Sequence, residues 1–278
     1  MNRILSKKIL HPTCAIIEIE APLIARNAEP GQFILLRVDA MGERIPLTIF
    51  DKTESSIFII YQIVGATTVK LHALTVGDCL HDTVGPLGEP TPIPTVKNAV
   101  IVGGGIGCGV AFPLAKKCQE MGIDTTAIIG FRTKDLVILE EEFRTNCNQV
   151  IVTTDDGSYQ TPGFVTTALL DLINRKKPDI VYAIGPLIMM KMVSELTQPY
   201  AIPTVVSLNS IMVDGTGMCG GCRVSVGGKM KFACVDGPDF DGHLVDFDET
   251  IARNKMYQTF EKKHYEDACH LLNKVNHE

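Results

Sequence analysis

The sequence predicts a small antiparallel β-barrel followed by an α/β domain with a parallel sheet, a short cysteine-rich module and a helical tail. In about the first ninety residues, short β-rich runs alternate with Gly and Pro turns, a pattern typical of an antiparallel barrel. After a stiff Thr-Pro-Ile-Pro connector at residues 91–94, strands alternate with amphipathic helices, which indicates a doubly wound parallel sheet. Three of the nine cysteines then fall within sixteen residues, which marks the third segment.

Composition and charge narrow the class of protein. With 45% hydrophobic and 21% charged residues, the 278-residue chain has the composition of a soluble globular enzyme. The net charge is −6 and the Lys and Arg residues are scattered, so we expect no nucleic-acid partner. No apolar run approaches the roughly 20 residues of a membrane span, and nothing resembles a signal peptide, so we expect no membrane partner. An odd number of cysteines without an export signal indicates a reducing, cytoplasmic location.

The predicted elements follow the same division of the chain. In the barrel we expect strands over residues 14–19, 33–38, 47–50 and 57–63, and a helix over residues 67–74. In the α/β domain we expect strands over residues 98–102, 124–130, 149–153, 180–184 and 204–208. Helices are predicted over residues 110–121, 139–146, 164–175 and 187–196, and residues 248–275 are predicted to form the helical tail.

A glycine run lies between the first predicted strand and helix of the α/β domain. It comprises Gly103, Gly104, Gly105 and Gly107. In this strand–turn–helix setting, backbone amides at the helix N-terminus can bind a pyrophosphate, which predicts a dinucleotide site. The spacing is G-x-G-x-G and not the G-x-G-x-x-G of simple dehydrogenases. The alternative is a tight turn without a ligand.

Three more loops follow strands of the same sheet, where ligands collect in such folds. Arg132 either faces an adenosine ribose or its 2′-phosphate, or is a solvated surface residue. Asp156 either hydrogen-bonds a ribose or belongs to a polar turn. Gly185 and Pro186 open space at the end of another strand.

The cysteine-rich loop carries a C-x2-C-x11-C pattern formed by Cys219, Cys222 and Cys234, with seven glycines between residues 215 and 237. Thiolate-rich loops suit zinc or iron–sulfur clusters. Such a site needs a fourth ligand. Asp214 precedes Cys219 by five residues on the same loop, whereas Cys269 lies far downstream in the predicted tail. The alternative is a glycine-rich hairpin whose cysteines are merely small hydrophobic residues.

Two polar segments stand out in the barrel. The first, Arg44-Ile45-Pro46-Leu47-Thr48, combines a cation, a rigid proline and a hydroxyl within five residues. The second runs from Tyr61, Gln62 and Ile63 to the hydroxyls of Thr67 and Thr68 at a predicted helix start. Taken alone, these segments fit an ordinary hairpin and a capped helix.

In combination, the R-x-P-x-T barrel, the nucleotide-binding domain and the cysteine-rich loop resemble the ferredoxin–NADP reductase superfamily. Within it, the chain resembles the electron-transfer subunits of dihydroorotate dehydrogenase and their relatives, over almost its whole length. The segment D-G-T-G-M-C-G-G-C-R, beginning at Asp214, is similar to an Asp-plus-three-Cys pattern of a narrower subfamily. That subfamily comprises the small subunits of NADH-dependent ferredoxin:NADP oxidoreductases, also called sulfide dehydrogenase β subunits. The dihydroorotate relatives carry four cysteines in this loop.

The resemblance implies four segments. Residues 1–95 would form an FAD-binding β-barrel and residues 96–210 an NAD(P)-binding α/β domain. Residues 211–245 would form a [2Fe-2S] cluster module and residues 246–278 a helical tail.

The resemblance also implies roles for the residues quoted above. Thr48 would place its hydroxyl near flavin N5, the atom that accepts a hydride, and Arg44 would neutralise the FAD pyrophosphate. The remaining implied FAD contacts are Pro46, Leu47, Tyr61, Gln62, Ile63, Thr67 and Thr68. The implied NAD(H) contacts are Gly103, Gly104, Gly105, Gly107, Arg132, Asp156, Gly185 and Pro186. The implied cluster ligands are Asp214, Cys219, Cys222 and Cys234. Ile184 departs from the superfamily, in which a cysteine often precedes the Gly-Pro pair.

The function implied is electron transfer between NAD(H), or NADP(H), and a [2Fe-2S] cluster through FAD. A larger flavin and iron–sulfur subunit would be the partner, ferredoxin would be reached indirectly through it, and the complex would carry out flavin-based electron bifurcation. One alternative is the electron-transfer subunit of an NAD-dependent dihydroorotate dehydrogenase. Another is a zinc-stabilised nucleotide-binding module without redox chemistry.

Overall fold

The N-terminal part of the protein is a seven-stranded antiparallel sheet that forms a nearly closed barrel. The structure, a computed structural model, describes residues 2–275. The strands are β1 (Asn2–His11), β2 (Cys14–Glu20), β3 (Phe33–Arg37), β4 (Ile45–Lys52), β5 (Ser56–Gln62), β6 (Cys79–Leu80) and β7 (Asp82–Leu87). They pair in the order β6-β1-β2-β5-β4-β3-β7. Two helices, α1 (Pro22–Asn27) and α2 (Ala66–Ala73), accompany the barrel.

The second part is a parallel sheet flanked by helices. Its strands are β8 (Asn98–Gly104), β9 (Asp124–Phe131), β10 (Gln149–Thr154), β11 (Thr161–Pro162), β12 (Ile180–Ile184) and β13 (Thr204–Ser207). Its helices are α3 (Gly107–Glu120), α4 (Glu140–Asn146), α5 (Val165–Arg175) and α6 (Leu187–Thr197). These six strands pair in the order β11-β10-β9-β8-β12-β13, and every pair is parallel.

The C-terminal part contributes a hairpin, one more strand of the parallel sheet and two helices. The hairpin consists of β14 (Arg223–Val226) and β15 (Lys229–Phe232). Strand β16 (Asp239–Asp241) pairs antiparallel with β13 and becomes the last strand of the α/β sheet. Helices α7 (Phe247–Asn254) and α8 (Gln258–Val275) follow, and α8 packs against α2 of the barrel. Residues 276–278 of the predicted tail lie outside the described residues.

Side-chain contacts join the barrel to the parts that follow it. Phe50 of β4 stacks on Phe112 of α3 with 5.3 Å between ring centroids. Lys116 of α3 forms an ion pair of 2.9 Å with Asp51 of β4. Phe33 of β3 belongs to a second buried apolar cluster, which also contains residues of the cysteine-rich loop.

The barrel, the largely parallel sheet and the C-terminal helices confirm the predicted fold class. The elements that were not predicted are helix α1 and the strands β1, β6, β7, β11, β14, β15 and β16. Within residues 2–275, none of the helices combines the length and the apolar character that crossing a bilayer requires.

Candidate functional site

The strand order creates a crevice at the carboxyl ends of β8 and β12. From β8 the chain proceeds outward to β9, β10 and β11, and it then returns to β12 on the other side of β8. The loops that follow β8 and β12 therefore diverge above neighbouring strands, since Gly103 pairs with Ile184. This is the topological switch point at which ligands bind in open α/β sheets.

Glycines line both sides of this crevice because there is no room for side chains. A Cβ atom on Gly107 would lie 2.4 Å from the carbonyl oxygen of Ile184, and one on Gly185 would lie 3.1 Å from Cα of Gly104. Gly105 adopts φ +55°, which favours glycine. The two loops thus touch backbone to backbone, and α3 begins at Gly107, three residues before the predicted start. A helix that begins with glycines can present its free N–H groups to a phosphate.

Met189 completes this crevice and was missed in the sequence. A Cβ atom on Gly104 would lie 2.5 Å from the Met189 sulfur, and one on Gly185 would lie 2.9 Å from the Met189 methyl carbon. The thioether therefore rests directly on both glycine loops. Its only sequence signal is its place three residues after Pro186, in the first turn of α6.

Arg132 and Asp156 follow the adjacent strands β9 and β10, so both lie at the same edge as the glycine loops. Arg132 is exposed. Asp156 Oδ1 accepts hydrogen bonds from the Ser158 hydroxyl at 2.6 Å and the Ser158 N–H at 3.0 Å, and these bonds lower the pKa of the carboxyl. Asp156 thus stabilises a polar turn at this edge, and its second carboxylate oxygen carries none of these bonds.

The R-x-P-x-T segment forms the start of β4, and its side chains alternate between two faces. Pro46 pairs with Leu35 and Thr48 pairs with Phe33, so Pro46 and Thr48 share one face. Leu47 lies on the opposite face and packs against the barrel core. Only the backbone of Leu47 can therefore line a pocket on the face that carries Pro46 and Thr48.

The Arg44 side chain reaches across β3 to Asp82 of β7. The guanidinium Nη2 lies 2.7 Å and Nε lies 3.2 Å from Asp82 Oδ2. Asp82 was not predicted as a site residue, because only the pairing of β3 with β7 brings it near Arg44.

The second polar segment of the barrel is divided between the core and the start of α2. Tyr61 is 1% exposed and its hydroxyl lies 3.3 Å from Nδ1 of His72, so its side chain belongs to the barrel interior. Gln62 and Ile63 are half-buried. Thr67 donates to Glu43 Oε1 at 2.7 Å, and Thr68 Oγ1 accepts the Gly65 N–H at 3.0 Å. Thr68 therefore caps the helix, and the helix start is fixed beside the Arg44 segment.

In the cysteine-rich loop, two of the three thiols already lie together. The sulfurs of Cys222 and Cys234 are buried and 3.2 Å apart, which is well beyond the ~2.05 Å of a disulfide. Cys219 is exposed, and its sulfur accepts the Gly221 N–H at 3.4 Å. Burial raises the pKa of the Cys234 thiol to about 12, so this thiol is protonated at neutral pH and must lose its proton to bind a metal.

Asp214 shapes the same loop through its carboxylate. Oδ2 accepts the Cys219 N–H at 2.7 Å and Oδ1 accepts the Thr216 N–H at 2.9 Å, and these bonds lower the pKa of Asp214. Over the part of the chain that the structure describes, no three His, Cys, Asp or Glu side chains converge closely enough to hold a metal ion. The side chain of Cys269 lies outside the described residues.

The donor set of the loop fits an iron–sulfur cluster. It offers a buried pair of thiols, a third thiol at the surface and a carboxylate on one short segment. The backbone N–H groups of Gly221 and Cys234 donate to the sulfurs of Cys219 and Cys222, both at 3.4 Å. Hydrogen bonds of this kind stabilise thiolates and tune the potential of iron–sulfur centres.

The cysteine-rich loop packs against the barrel strand next to Thr48. A Cβ atom on Gly215 would lie 2.7 Å from Leu87 and 3.0 Å from Leu35, so the loop touches β7 and β3 directly. Leu35 is paired with Pro46 on β4. The R-x-P-x-T segment and the cysteine-rich loop therefore adjoin the same strand, β3.

Comparison with known proteins identifies the family. Residues 209–246 match the iron-sulfur cluster binding domain of dihydroorotate dehydrogenase B. A Thermotoga maritima homolog of the electron transfer subunit of dihydroorotate dehydrogenase B (NAD(+)) is 44% identical over 268 residues, which cover 96% of this chain and 95% of the relative. In a solved structure of NADH-dependent reduced ferredoxin-NADP oxidoreductase, one chain is 41% identical with a TM-score of 0.90, and the match covers 96% of this chain and 97% of that chain.

A more distant structure shows how widely the fold is shared. The cytochrome b5 reductase domain of Ulva prolifera nitrate reductase is 16% identical, with a TM-score of 0.59 over 74% of this chain and 95% of that chain. The resemblance inferred from the sequence is thus confirmed at the level of fold and of family. The chain belongs to the family of dihydroorotate dehydrogenase B electron transfer subunits and their homologs.

Proposed function

We propose that this chain is an electron-transfer subunit that moves electrons between NAD(H) and a [2Fe-2S] cluster through FAD. The observation that carries the proposal is the position of β3, which lies between the R-x-P-x-T segment and the cysteine-rich loop. A flavin bound at the first segment and a cluster bound at the second would share one strand as their common support. FAD, when bound, accepts a hydride from a nicotinamide and releases electrons singly to a one-electron centre.

The residues of the chain bind and orient these groups. Arg44 supplies positive charge for the FAD pyrophosphate, and the start of α2 adds the N–H groups of a helix N-terminus. Thr48 directs a hydroxyl to the reactive edge of the flavin, which makes it the proposed catalytic residue. Pro46 and Gln62 shape the flavin pocket beside it.

The nucleotide and the cluster are held at the two other loops. The backbone of Gly103 to Gly107 binds the pyridine nucleotide, Arg132 and Asp156 face its ribose, and Gly185 with Pro186 lies under the nicotinamide. Asp214 and Cys219, Cys222 and Cys234 are the proposed cluster ligands. Cys222 and Cys234 are 3.2 Å apart, which supports their binding to one iron atom.

The relatives of this chain are electron-transfer subunits, and such a subunit works within a larger complex. We infer that the partner is a larger flavin and iron–sulfur subunit, through which ferredoxin exchanges electrons with this chain. The 41% identity to a chain of a ferredoxin-NADP oxidoreductase favours a bifurcating complex. The match of residues 209–246 favours the second candidate, an NAD-dependent dihydroorotate dehydrogenase. Co-purification under anaerobic conditions separates the two, because the second requires a dihydroorotate-oxidising flavoprotein as partner.

The cofactor content tests the proposal directly. We expect the anaerobically purified chain to contain about one FAD, two irons and two acid-labile sulfides, and NADH to bleach its visible absorbance. Stoichiometric zinc without sulfide would instead support a structural metal module. We also expect kcat/KM for dye reduction to be larger with NADH than with NADPH. A larger value with NADPH would reassign Arg132 to a 2′-phosphate.

A further inference from the structure

Arg37, at the end of β3, is a half-buried cation that no described residue neutralises. Its Nε atom is buried and has no hydrogen-bond partner among the residues that the structure describes. Leaving a buried charged donor unpaired is costly, and native proteins rarely tolerate it without a ligand or water. The Nε–H group of Arg37 therefore requires a hydrogen-bond acceptor that the described protein atoms do not supply.

The strand register places Arg37 between Arg44 and Asp82. Arg37 pairs directly with Asp82 on β7. Leu36 pairs with Ile45 on β4, so Arg44 stands next in the same antiparallel register, opposite Arg37. Side chains of directly opposed residues project from the same face of a sheet. The two arginines and Asp82 thus form a row across three neighbouring strands.

This row lies on the face that carries Pro46 and Thr48. Residues two apart along a strand share a face, so Pro46 and Thr48 are aligned along β4, and Arg44, directly before the strand, continues the same alternation. Ile34 and Leu36 point the other way and are fully buried in the barrel core. Arg37 therefore belongs to the proposed flavin face and not to the barrel interior.

Three acidic side chains near this row already bind other groups. Asp82 binds Arg44 at 2.7 Å, and Asp39 binds Lys70 of α2 at 2.9 Å. Glu43 accepts the hydroxyl of Thr67 at the start of α2. These same contacts bring the N-terminal turn of α2 to the end of the sheet at which the arginines stand. Asp82 and Asp39 are each in an ion pair with another cation, Glu43 accepts a neutral hydroxyl, and the guanidinium of Arg37 forms no ion pair with a described residue.

We propose that Arg37 is a second cation of the FAD diphosphate site, acting beside Arg44. This inference rests on the proposed flavin-binding function. A diphosphate offers several anionic oxygens, and the guanidinium fork of arginine is suited to such groups. Asp82 holds Arg44 across β3 by Nε and Nη2 and leaves the other amino group of that guanidinium for the ligand. Two opposed cations on one face, which repel each other in the free protein, are then bridged by one anion.

The test is the affinity of the full-length protein for FAD, measured by flavin fluorescence after removal of the bound flavin. We expect Arg37→Gln to raise the Kd for FAD about 10- to 100-fold, the range for losing a hydrogen bond to a charged group, and to make it less dependent on NaCl. Arg37→Lys keeps the charge and should recover most of the affinity. Arg26→Gln removes an exposed arginine at the end of α1 and should leave the Kd unchanged.

Riboflavin separates a role in phosphate binding from a role in folding, because it lacks phosphates. Arg37→Gln should bind riboflavin as the wild type does. The proposal is wrong if Arg37→Gln binds FAD within twofold of the wild type, or if it loses riboflavin and FAD equally. Failure of the wild-type protein to bind FAD at all would overturn the proposed function itself. Iron content equal to that of the wild type shows that the variant has folded.

Discussion

The glycine loop after β8 and the cysteine-rich loop both depend on glycine, but for different physical reasons. At Gly107 a side chain has no room, because a Cβ atom would lie 2.4 Å from a backbone carbonyl oxygen. At Gly220 there is room, since the nearest atom to a Cβ lies 4.0 Å away, but φ is +65°. Packing against the end of β12 therefore determines the backbone conformation of the first loop before a ligand binds. The cysteine-rich loop is shaped instead by its own backbone conformation and by the hydrogen bonds to Asp214. In this conformation Cys219 lies at the surface.

The largest effect should come from Gly107→Ala. The added methyl group must displace the backbone of the loop after β12, which we expect to lower the free energy of unfolding by about 2–4 kcal/mol and to abolish NADH binding. Thermal unfolding and NADH titration of the purified variant measure the two effects.

The matched control is Gly228→Ala, in the turn between β14 and β15. Gly228 has φ +73° and no atom within 4 Å of a Cβ, so only backbone strain of about 1 kcal/mol should result. Equal losses of stability in the two variants would contradict the distinction between steric exclusion and strain.

A more local effect is expected from Asp214 in the cysteine-rich loop. Asp214→Ala removes both the proposed ligand and the acceptor of the Thr216 and Cys219 N–H groups, so the cluster should be lost while FAD stays bound in the barrel. Asp214→Cys should retain a cluster with a shifted reduction potential and a changed electron paramagnetic resonance spectrum. Iron, sulfide and flavin analysis reports both outcomes.

Asp214→Asn tests the carboxylate as a metal ligand while part of its role in the loop is kept. The amide oxygen keeps an acceptor for one of the two loop N–H groups but is a weak ligand for iron. We expect the Asn variant to lose the cluster as the Ala variant does. A full cluster with an unchanged spectrum in either variant would leave Asp214 as a turn residue and would require another fourth ligand.

The smallest effect concerns Asp239, which joins the cysteine-rich segment to the α/β sheet through β16. Its Oδ1 is buried without a described partner, its Oδ2 accepts the Thr91 hydroxyl, and burial raises the pKa of the carboxyl above its ordinary 3.8. The folded state therefore favours the protonated acid, and this stabilisation is lost as the pH rises from about 3.8 through the raised pKa. Asp239→Asn should be more stable than the wild type at neutral pH.

The pH dependence is the more specific part of this prediction. Since asparagine does not titrate, the difference in unfolding temperature between variant and wild type should widen as the pH rises and then level off. Thermal unfolding at several pH values measures it. A difference that stays constant with pH would show that Asp239 does not titrate differently in the folded protein.

The sequence predicted the longer strands and the helices of the α/β half well because each of them is locally periodic, whereas the two short edge strands β11 and β16 were missed. Strand β1 was missed because register shifts at Ile4/Ser6 and Ile9/His11 interrupt the alternation that identifies a strand. The start of α3 was placed too late because glycine disfavours helices, whereas contact with the loop after β12 keeps Gly107 helical. In both cases long-range packing overrides the local signal.

Prediction of the candidate site from the sequence was limited in the same way, because local motifs do not report contacts between distant segments. Motifs predicted which loops carry binding residues, because spacing within a loop is a local property. They did not predict that the side chains of Leu47 and Tyr61 point into the barrel. They also missed Arg37 and Asp82, whose place beside Arg44 depends on pairing between strands that are distant in the sequence. The assigned roles of the motif residues remain predictions, to be decided by the variants above.

The pairing of β16 with β13 has a consequence for engineering this protein. From the sequence, residues 211–245 look like a separate segment that could be deleted. They nevertheless contain β16, the outermost strand of the preceding sheet. Their deletion would leave β13 as an open edge with unpaired N–H and C=O groups, which is a template for aggregation. A simplified reductase or a chimera with a different redox module must therefore retain residues 239–241 or replace them with another edge strand.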